Sequence, residues 1–118
     1  MSNLDITTDA GIKALSETLG WVDVRAYGAA GDGVTDDTAA IQAAIDSLTV
    51  GTIKLSAGTF LFSSTILLKS NIVFEGSGIG ITTLSWGGTE NNLISFSSAS
   101  SNITIRNLTI DGNNVAGL

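Results

Sequence analysis

Acidic side chains are the groups best suited to chemistry in this 118-residue chain. Asp32, Asp36 and Asp37 form one cluster, and Glu75, Glu90 and Asp111 a looser set. Clustered carboxylates can hold Ca²⁺, a hard cation that takes several oxygen ligands. The spacing here lacks the EF-hand pattern, and loop or helix-cap duties account better for Asp32, Asp36 and Asp37. Glycosidases use two carboxyl groups about 5–10 Å apart. No spacing brings two of Glu75, Glu90 and Asp111 together, so turn and solvated-face roles are the simpler assignment. Trp21 and Trp86 could stack on sugars, but their large apolar area favours packing. Asn91, Asn92, Asn113 and Asn114 suit turns. There is no His, which removes the commonest general base and metal ligand, and no Cys. No residue is therefore assigned as catalytic, cofactor-binding or metal-ligating, and no cofactor is expected.

Composition narrows the partners. The net charge is −6, and the five Lys and Arg residues form no basic cluster, so nucleic acid and anionic membranes are not expected partners. No apolar run approaches the roughly 18 residues of a membrane span. The start MSNLDITTDAGIKALSETL lacks the basic-then-apolar order of a secretory signal. Charged residues make up only 14%, while Ser and Thr number 14 each. That balance fits a stack of strands and tight turns better than a helical bundle.

The elements follow from periodicity. Thr8 or Asp9 can cap a first short helix, along which Ile12, Leu15, Leu19 and Val22 form a brief heptad seam, and Gly20 can end it in a left-handed conformation. That stripe packs either on its own domain or on symmetry mates. Residues 21–33, WVDVRAYGAAGDG, read as a short strand and a glycine-rich loop without the spacing of a phosphate loop. Residues 35–48 read as a second helix, with Asp36 and Asp37 at its N-terminal cap and Ala40, Ile41, Ala44, Ile45 and Leu48 on one face. After residue 50 come short runs rich in Thr, Ile, Val, Phe and Leu, bounded by Gly, Ser and Asn.

These runs fall into three registers. Residues 53–55, 72–74 and 103–105 form one, 60–62, 82–84 and 108–110 a second, and 66–68 and 94–96 a third. Ser-Asn-Ile recurs at 70–72 and 101–103, an internal repeat consistent with Asn at stacked turns. The layout predicts a mostly β chain: a right-handed parallel β-helix of about three coils, with an N-terminal helical segment and a capping helix over 36–48. An antiparallel sandwich would want hairpin turns, and Asp32-Gly33 and Asp111-Gly112 do not lie between two clear strands. The expected division is an anchor segment at 1–22, a cap at 23–50 and the first coils at 51–118.

Particular motifs carry a family resemblance: Tyr27-Gly28-Ala29, Gly31-Asp32-Gly33, Thr35-Asp36-Asp37-Thr38, Ala40-Ile41-Gln42, Ala44-Ile45, and Ala57-Gly58-Thr59-Phe60. Together with SNITIRNLTIDGN at 101–113, the chain resembles the N-terminal region of the pectate-lyase-like superfamily, to which many bacteriophage tailspikes and depolymerases belong. Ser56 stands where that group often has Pro. The resemblance implies a segment that opens and shields a β-helix and supplies few or no catalytic groups. The pectinase-like signatures Asn-Thr-Asp, Gly-His-Gly and Arg-Ile-Lys are absent, and Asp36-Asp37 lies at a helix start rather than in a coil.

The expected role is the virion-proximal attachment part of a tailspike-type protein that recognises or degrades bacterial surface polysaccharide, with catalysis downstream. The expected partners are two further copies in a homotrimer, a phage tail or baseplate protein, and, through the downstream region, the polysaccharide. The expected location is the virion tail. The alternative is the N-terminal piece of a secreted polysaccharide lyase or glycoside hydrolase.

Overall fold

The computed structural model describes residues 20–89, 92–96 and 100–112. Strand β1 covers Trp21–Asp23, followed by a 3₁₀ turn at Val24–Tyr27, β2 at Asp32–Asp36 and helix α1 at Thr38–Asp46. The rest is strand and turn: β3 (Gly51–Lys54), β4 (Gly58–Phe62), β5 (Ile66–Leu68), β6 (Ile72–Glu75), β7 (Thr82–Trp86), β8 (Ile94–Phe96), β9 (Ile103–Arg106) and β10 (Thr109–Asp111).

Ten strands this short cannot bury a core singly; they do so by stacking. Three sheets result, in the orders β1-β3-β6-β9, β2-β4-β7-β10 and β5-β8. Every strand pair is parallel. Parallel neighbours need long crossovers, and here each crossover from β3 onward visits the other two sheets before returning, while the first pass carries α1 between β2 and β3. The fold is mostly β, with parallel sheets and one described helix, consistent with a parallel β-helix.

Alternation in each strand sends one set of side chains inward. Val22, Ile53 and Phe74 stack in the first sheet, Phe60 on Leu84 and Phe62 on Trp86 in the second, and Ile66 on Ile94 in the third. Apart from the half-buried Ile94, these are essentially inaccessible to solvent. Trp86 meets Phe62 edge-to-face, with centroids 5.0 Å apart. Ile41, Ala44, Ile45 and Leu48 from α1 and its C-terminal turn join the same core.

Several expectations need correcting. The pairing of 66–68 with 94–96, of 72–74 with 103–105 and of 82–84 with 108–110 is the observed one. The first pass is not: Phe74 lies beside Ile53 and Leu84 beside Phe60, each two residues from the expected partner. The glycine-rich stretch contains β2, which contacts β4 through Asp32–Thr59 and Asp36–Leu61 with an irregularity between them. The second helix is shorter than 35–48 because Asp32–Asp36 is extended. Val22, placed by spacing on the heptad seam, sits instead in β1 with its side chain wholly buried. Ile12, Leu15 and Leu19 lie outside the described residues; Gly20 has the left-handed φ of +79° anticipated for it.

Candidate functional site

The acidic cluster is put to structural use. Asp37 occupies the N-cap position of α1, yet its side chain makes no cap bond. Its buried carboxylate instead accepts the amide hydrogens of Ala30 (2.9 Å) and Gly31 (3.0 Å), holding the preceding loop against the helix start. Asp36 accepts from the backbone and hydroxyl of Thr38 and from the hydroxyl of Ser63. The Ser63 bond, followed by the two from Thr38, holds its carboxyl below the usual range. Asp32 caps the turn through the amides of Thr35 (2.8 Å) and Val34 (3.0 Å), and those bonds lower its pKa in the same way.

The other motif residues also tie one pass to the next. The Arg25 guanidinium donates to the Ser56 hydroxyl and to the carbonyls of Ala30 and Ala57, and lies 5.3 Å from the Phe60 ring centroid. Gly58 has a φ of +140°, and a Cβ there would meet the Gly31 carbonyl oxygen at 2.6 Å. Only glycine tolerates both demands. The Gln42 side chain donates to the Leu67 carbonyl and accepts from the Leu67 amide, both at 2.9 Å. A side-chain amide thus presents one donor and one acceptor to β5, as a neighbouring strand would. The longest of these bonds tie Arg25 and Gln42 to positions 25 to 32 residues further along the chain.

Of the possible sugar-site acids, Glu75 lies on β6, Asp111 lies on β10 and Glu90 lies outside the described residues. Asp111 and Glu75 occupy different sheets. Trp86 is buried as packing required. Trp21 is half-buried on the outer face of the first sheet, with the Lys54 ammonium 5.3 Å from its ring centroid. Asn92 offers its carbonyl to the Thr65 hydroxyl, while Asn91, Asn113 and Asn114 lie outside the described residues.

The arrangement that spacing did not reveal is on that same outer face. Asp23, Lys54, Glu75 and Arg106 are paired in succession across β1, β3, β6 and β9, an alternating row of charges. Arg106 Nε donates to Glu75 Oε2 at 3.0 Å, and Asn107 Nδ2 donates to the same oxygen at 3.3 Å. Asp23 and Glu75 are two strand spacings apart, about 9.6 Å along the sheet. Asp23, however, accepts from the Arg25 amide at the start of the 3₁₀ turn, and Lys54 stands between the two acids.

Beside the row is a cleft of about 360 Å³, lined by Lys54, Leu55, Glu75, Gly76, Ser77 and Asn107. Its floor depends on close backbone approach. Gly76 donates to the Arg106 carbonyl (3.0 Å), and a Cβ on it would strike the Asn107 carbonyl oxygen at 2.4 Å. Asn107 has a φ of +60°, which Asn tolerates better than most residues. Thr82, fully buried, donates to the Ser56 carbonyl (2.8 Å) and accepts from the Ser77 amide (2.9 Å). The cleft offers hydrogen-bonding groups of both kinds, an arrangement suited to binding a polar ligand.

Known proteins share this framework. Residues 21–117 match the family described as rhamnogalacturonase A/epimerase, pectate lyase-like. The chain belongs to that family. Mannuronan C5-epimerase AlgE5 of Azotobacter vinelandii is 36% identical over 107 residues, covering 77% of this chain and 11% of that protein. The preneck appendage protein of Bacillus phage PZA is 37% identical over 99 residues, covering 79% of this chain and 11% of that one. Among solved structures, ORF18 of Geobacillus virus E2 superposes with a TM-score of 0.77 at 32% identity, over 97% of this chain and 25% of that one. The chain thus spans about a tenth of the curated relatives named. Polysaccharide epimerases and phage structural proteins are both among the homologues of this pectate-lyase-like chain.

Proposed function

We propose that this chain is the virion-proximal attachment part of a phage tailspike-type protein acting on bacterial surface polysaccharide, with the polysaccharide-processing groups elsewhere in a longer polypeptide. The observation that carries this reading is the 97% coverage by the viral ORF18 structure. AlgE5, by comparison, aligns in sequence over 77% of the chain. Strand–crossover–parallel-strand units are overwhelmingly right-handed, so the proposed solenoid is a right-handed β-helix of about three coils. In it α1 covers the N-terminal end, with Ile41, Ala44 and Ile45 buried beneath it and Gln42 occupying the edge of β5. A solenoid needs such a cover, because its terminal unit otherwise exposes apolar surface and strand edges.

The same reading makes the protein a homotrimer, docked to a tail or baseplate protein through its N-terminal segment and located on the virion tail. Sedimentation equilibrium of the full-length protein tests the trimer; a stable monomer at high micromolar concentration refutes it. Incubation with capsular polysaccharides and pectins, followed by reducing-end and unsaturated-product assays, tests the division of labour. The chain alone should give no product, and the full-length protein should. Reproducible turnover by the 118-residue chain, lost on changing one acidic residue, overturns the proposal.

The epimerase similarity favours a second reading: the N-terminal piece of a secreted enzyme that modifies or degrades polysaccharide, such as a lyase or glycoside hydrolase. A secretory signal ahead of the chain in the full gene would favour that reading, and a position among tail genes the first.

A further inference from the structure

We propose that the cleft between Lys54, Glu75, Ser77 and Asn107 is a subsite for one neutral hexopyranose unit of a glycan, separate from any catalytic centre of the full-length protein.

Size and polarity come first. A cleft of about 360 Å³ lies at the low end of small-molecule sites, with space for one sugar ring rather than a chain. Five of its six lining residues bring polar side chains or bare backbone. That wall suits a polyol better than an apolar ligand, whose entry would strip water from polar groups without replacing their hydrogen bonds.

Hydrogen-bonding capacity decides the class. Glu75 receives Arg106 and Asn107 on Oε2, and among the described residues no donor meets Oε1. Asn107 uses Nδ2 on Glu75, leaving Oδ1 as an acceptor. Ser77 donates its hydroxyl hydrogen to the Leu55 carbonyl (3.1 Å), so that oxygen can still accept. Lys54, a lining residue whose ammonium lies near the Trp21 ring, brings donors. Donors and acceptors thus face one space, and sugar hydroxyls are both.

Charge separates neutral from acidic sugars. Lys54 and Glu75, the two charged residues of the lining, sum to zero, and the whole chain carries −6. A uronate carboxylate or a phosphate would meet Glu75 with no net attraction to offset it, while a neutral ring meets neither penalty. The assignment does not depend on where the full-length protein acts, so it can fail or hold independently of the virion role.

Amide chemical-shift mapping on the ¹⁵N-labelled 118-residue chain tests it. The probes are the methyl glycosides of glucose, galactose and mannose, with sodium galacturonate and inorganic phosphate as anionic comparators. The expected result is saturable shifts centred on Leu55, Gly76, Ser77 and Asn107 for at least one neutral glycoside, with Kd in roughly the millimolar range. Both anions should bind more weakly. Asn107→Gly keeps the positive φ and removes the amide, and Lys54→Met keeps the stem and removes the charge. Each should weaken binding about tenfold, about 1.4 kcal/mol, with the remaining spectrum unchanged. No saturable shift below about 50 mM, shifts centred elsewhere, tighter binding of galacturonate or phosphate, or a Kd unmoved in both variants overturns the proposal.

Discussion

Gln42 offers the sharpest test of how the helix is joined to the sheets. Its amide makes two hydrogen bonds to Leu67, both 2.9 Å, and Gln42→Ala deletes both. A buried pair would cost about 1 kcal/mol per bond, with a further penalty for stranded groups. Leu67 is 54% exposed, so water replaces part of the loss. The expected net cost is about 1–2 kcal/mol. With a urea m-value of about 1.5 kcal/mol/M, the midpoint should fall by roughly 1 M. Urea titration followed by tryptophan fluorescence reads this, since Trp86 is buried at the core. Hydrogen exchange reads it locally: the Leu67 amide should lose about tenfold in protection, corresponding to 1.4 kcal/mol. Gln42→Glu adds a pH signature. Its carboxylate would face the Leu67 carbonyl and lie near Asp46, which Gln42 Nε2 contacts at 3.1 Å. Repulsion should raise the folded-state pKa above the ordinary value of about 4.3. The deficit relative to the parent should therefore be largest above the raised pKa, shrink as pH falls through it, when the acid regains its proton and can donate, and lose its charge component below about 4. A Gln42→Ala midpoint within about 0.2 M of the parent, with unchanged Leu67 exchange, would refute the strand-like role of the amide.

Three further outcomes follow from the same ties. Asp36 has a folded-state pKa held down by Ser63 and Thr38, so its contribution is present above the unfolded carboxylate value near 4 and is lost as pH falls through the lower folded value; acid-unfolding curves of Asp36→Asn should lack that component, and superimposable curves would contradict it. Gly58→Ala must accommodate a φ of +140° and a Cβ 2.6 Å from the Gly31 carbonyl, and should lower stability by about 2–4 kcal/mol in urea titration. Ile45→Asp puts an unpaired charge at a fully buried site on α1 and should cost about 3 kcal/mol or more; a variant with the parental urea midpoint would contradict the burial of that face.

The stacked architecture was legible because the later strands carry their own markers. Asn71 and Asn102 adopt left-handed conformations at φ of +64° and +60°, and Asn102 Nδ2 donates to Asn71 Oδ1 at 3.2 Å, so the repeated Ser-Asn-Ile located a repeated turn. The earlier strands lack such a marker. β3 and β4 begin at Gly51 and Gly58, residues that strand propensity disfavours, so the apolar runs that follow were read as strand starts. The resulting slip was two residues, which preserves the inward and outward faces and therefore the core. It does not preserve neighbours. With residue 53 beside 72, Lys54 would lie beside Val73; in the structure it lies beside Glu75, and the charge row appears. β2 escaped notice because Asp32-Gly33-Val34-Thr35-Asp36 has loop composition and is held extended by contacts with β4. The bonds of Arg25 and Gln42 reach 25 to 32 residues along the chain, a separation that local periodicity does not report.

Immunogold electron microscopy with an antibody against residues 1–118 tests the central functional claim most directly, applied to cultures of the source as they release phage particles. The account predicts gold at the virion-proximal end of the tail appendages. Label confined to soluble secreted protein, with particles bare, would contradict it and favour the secreted enzyme.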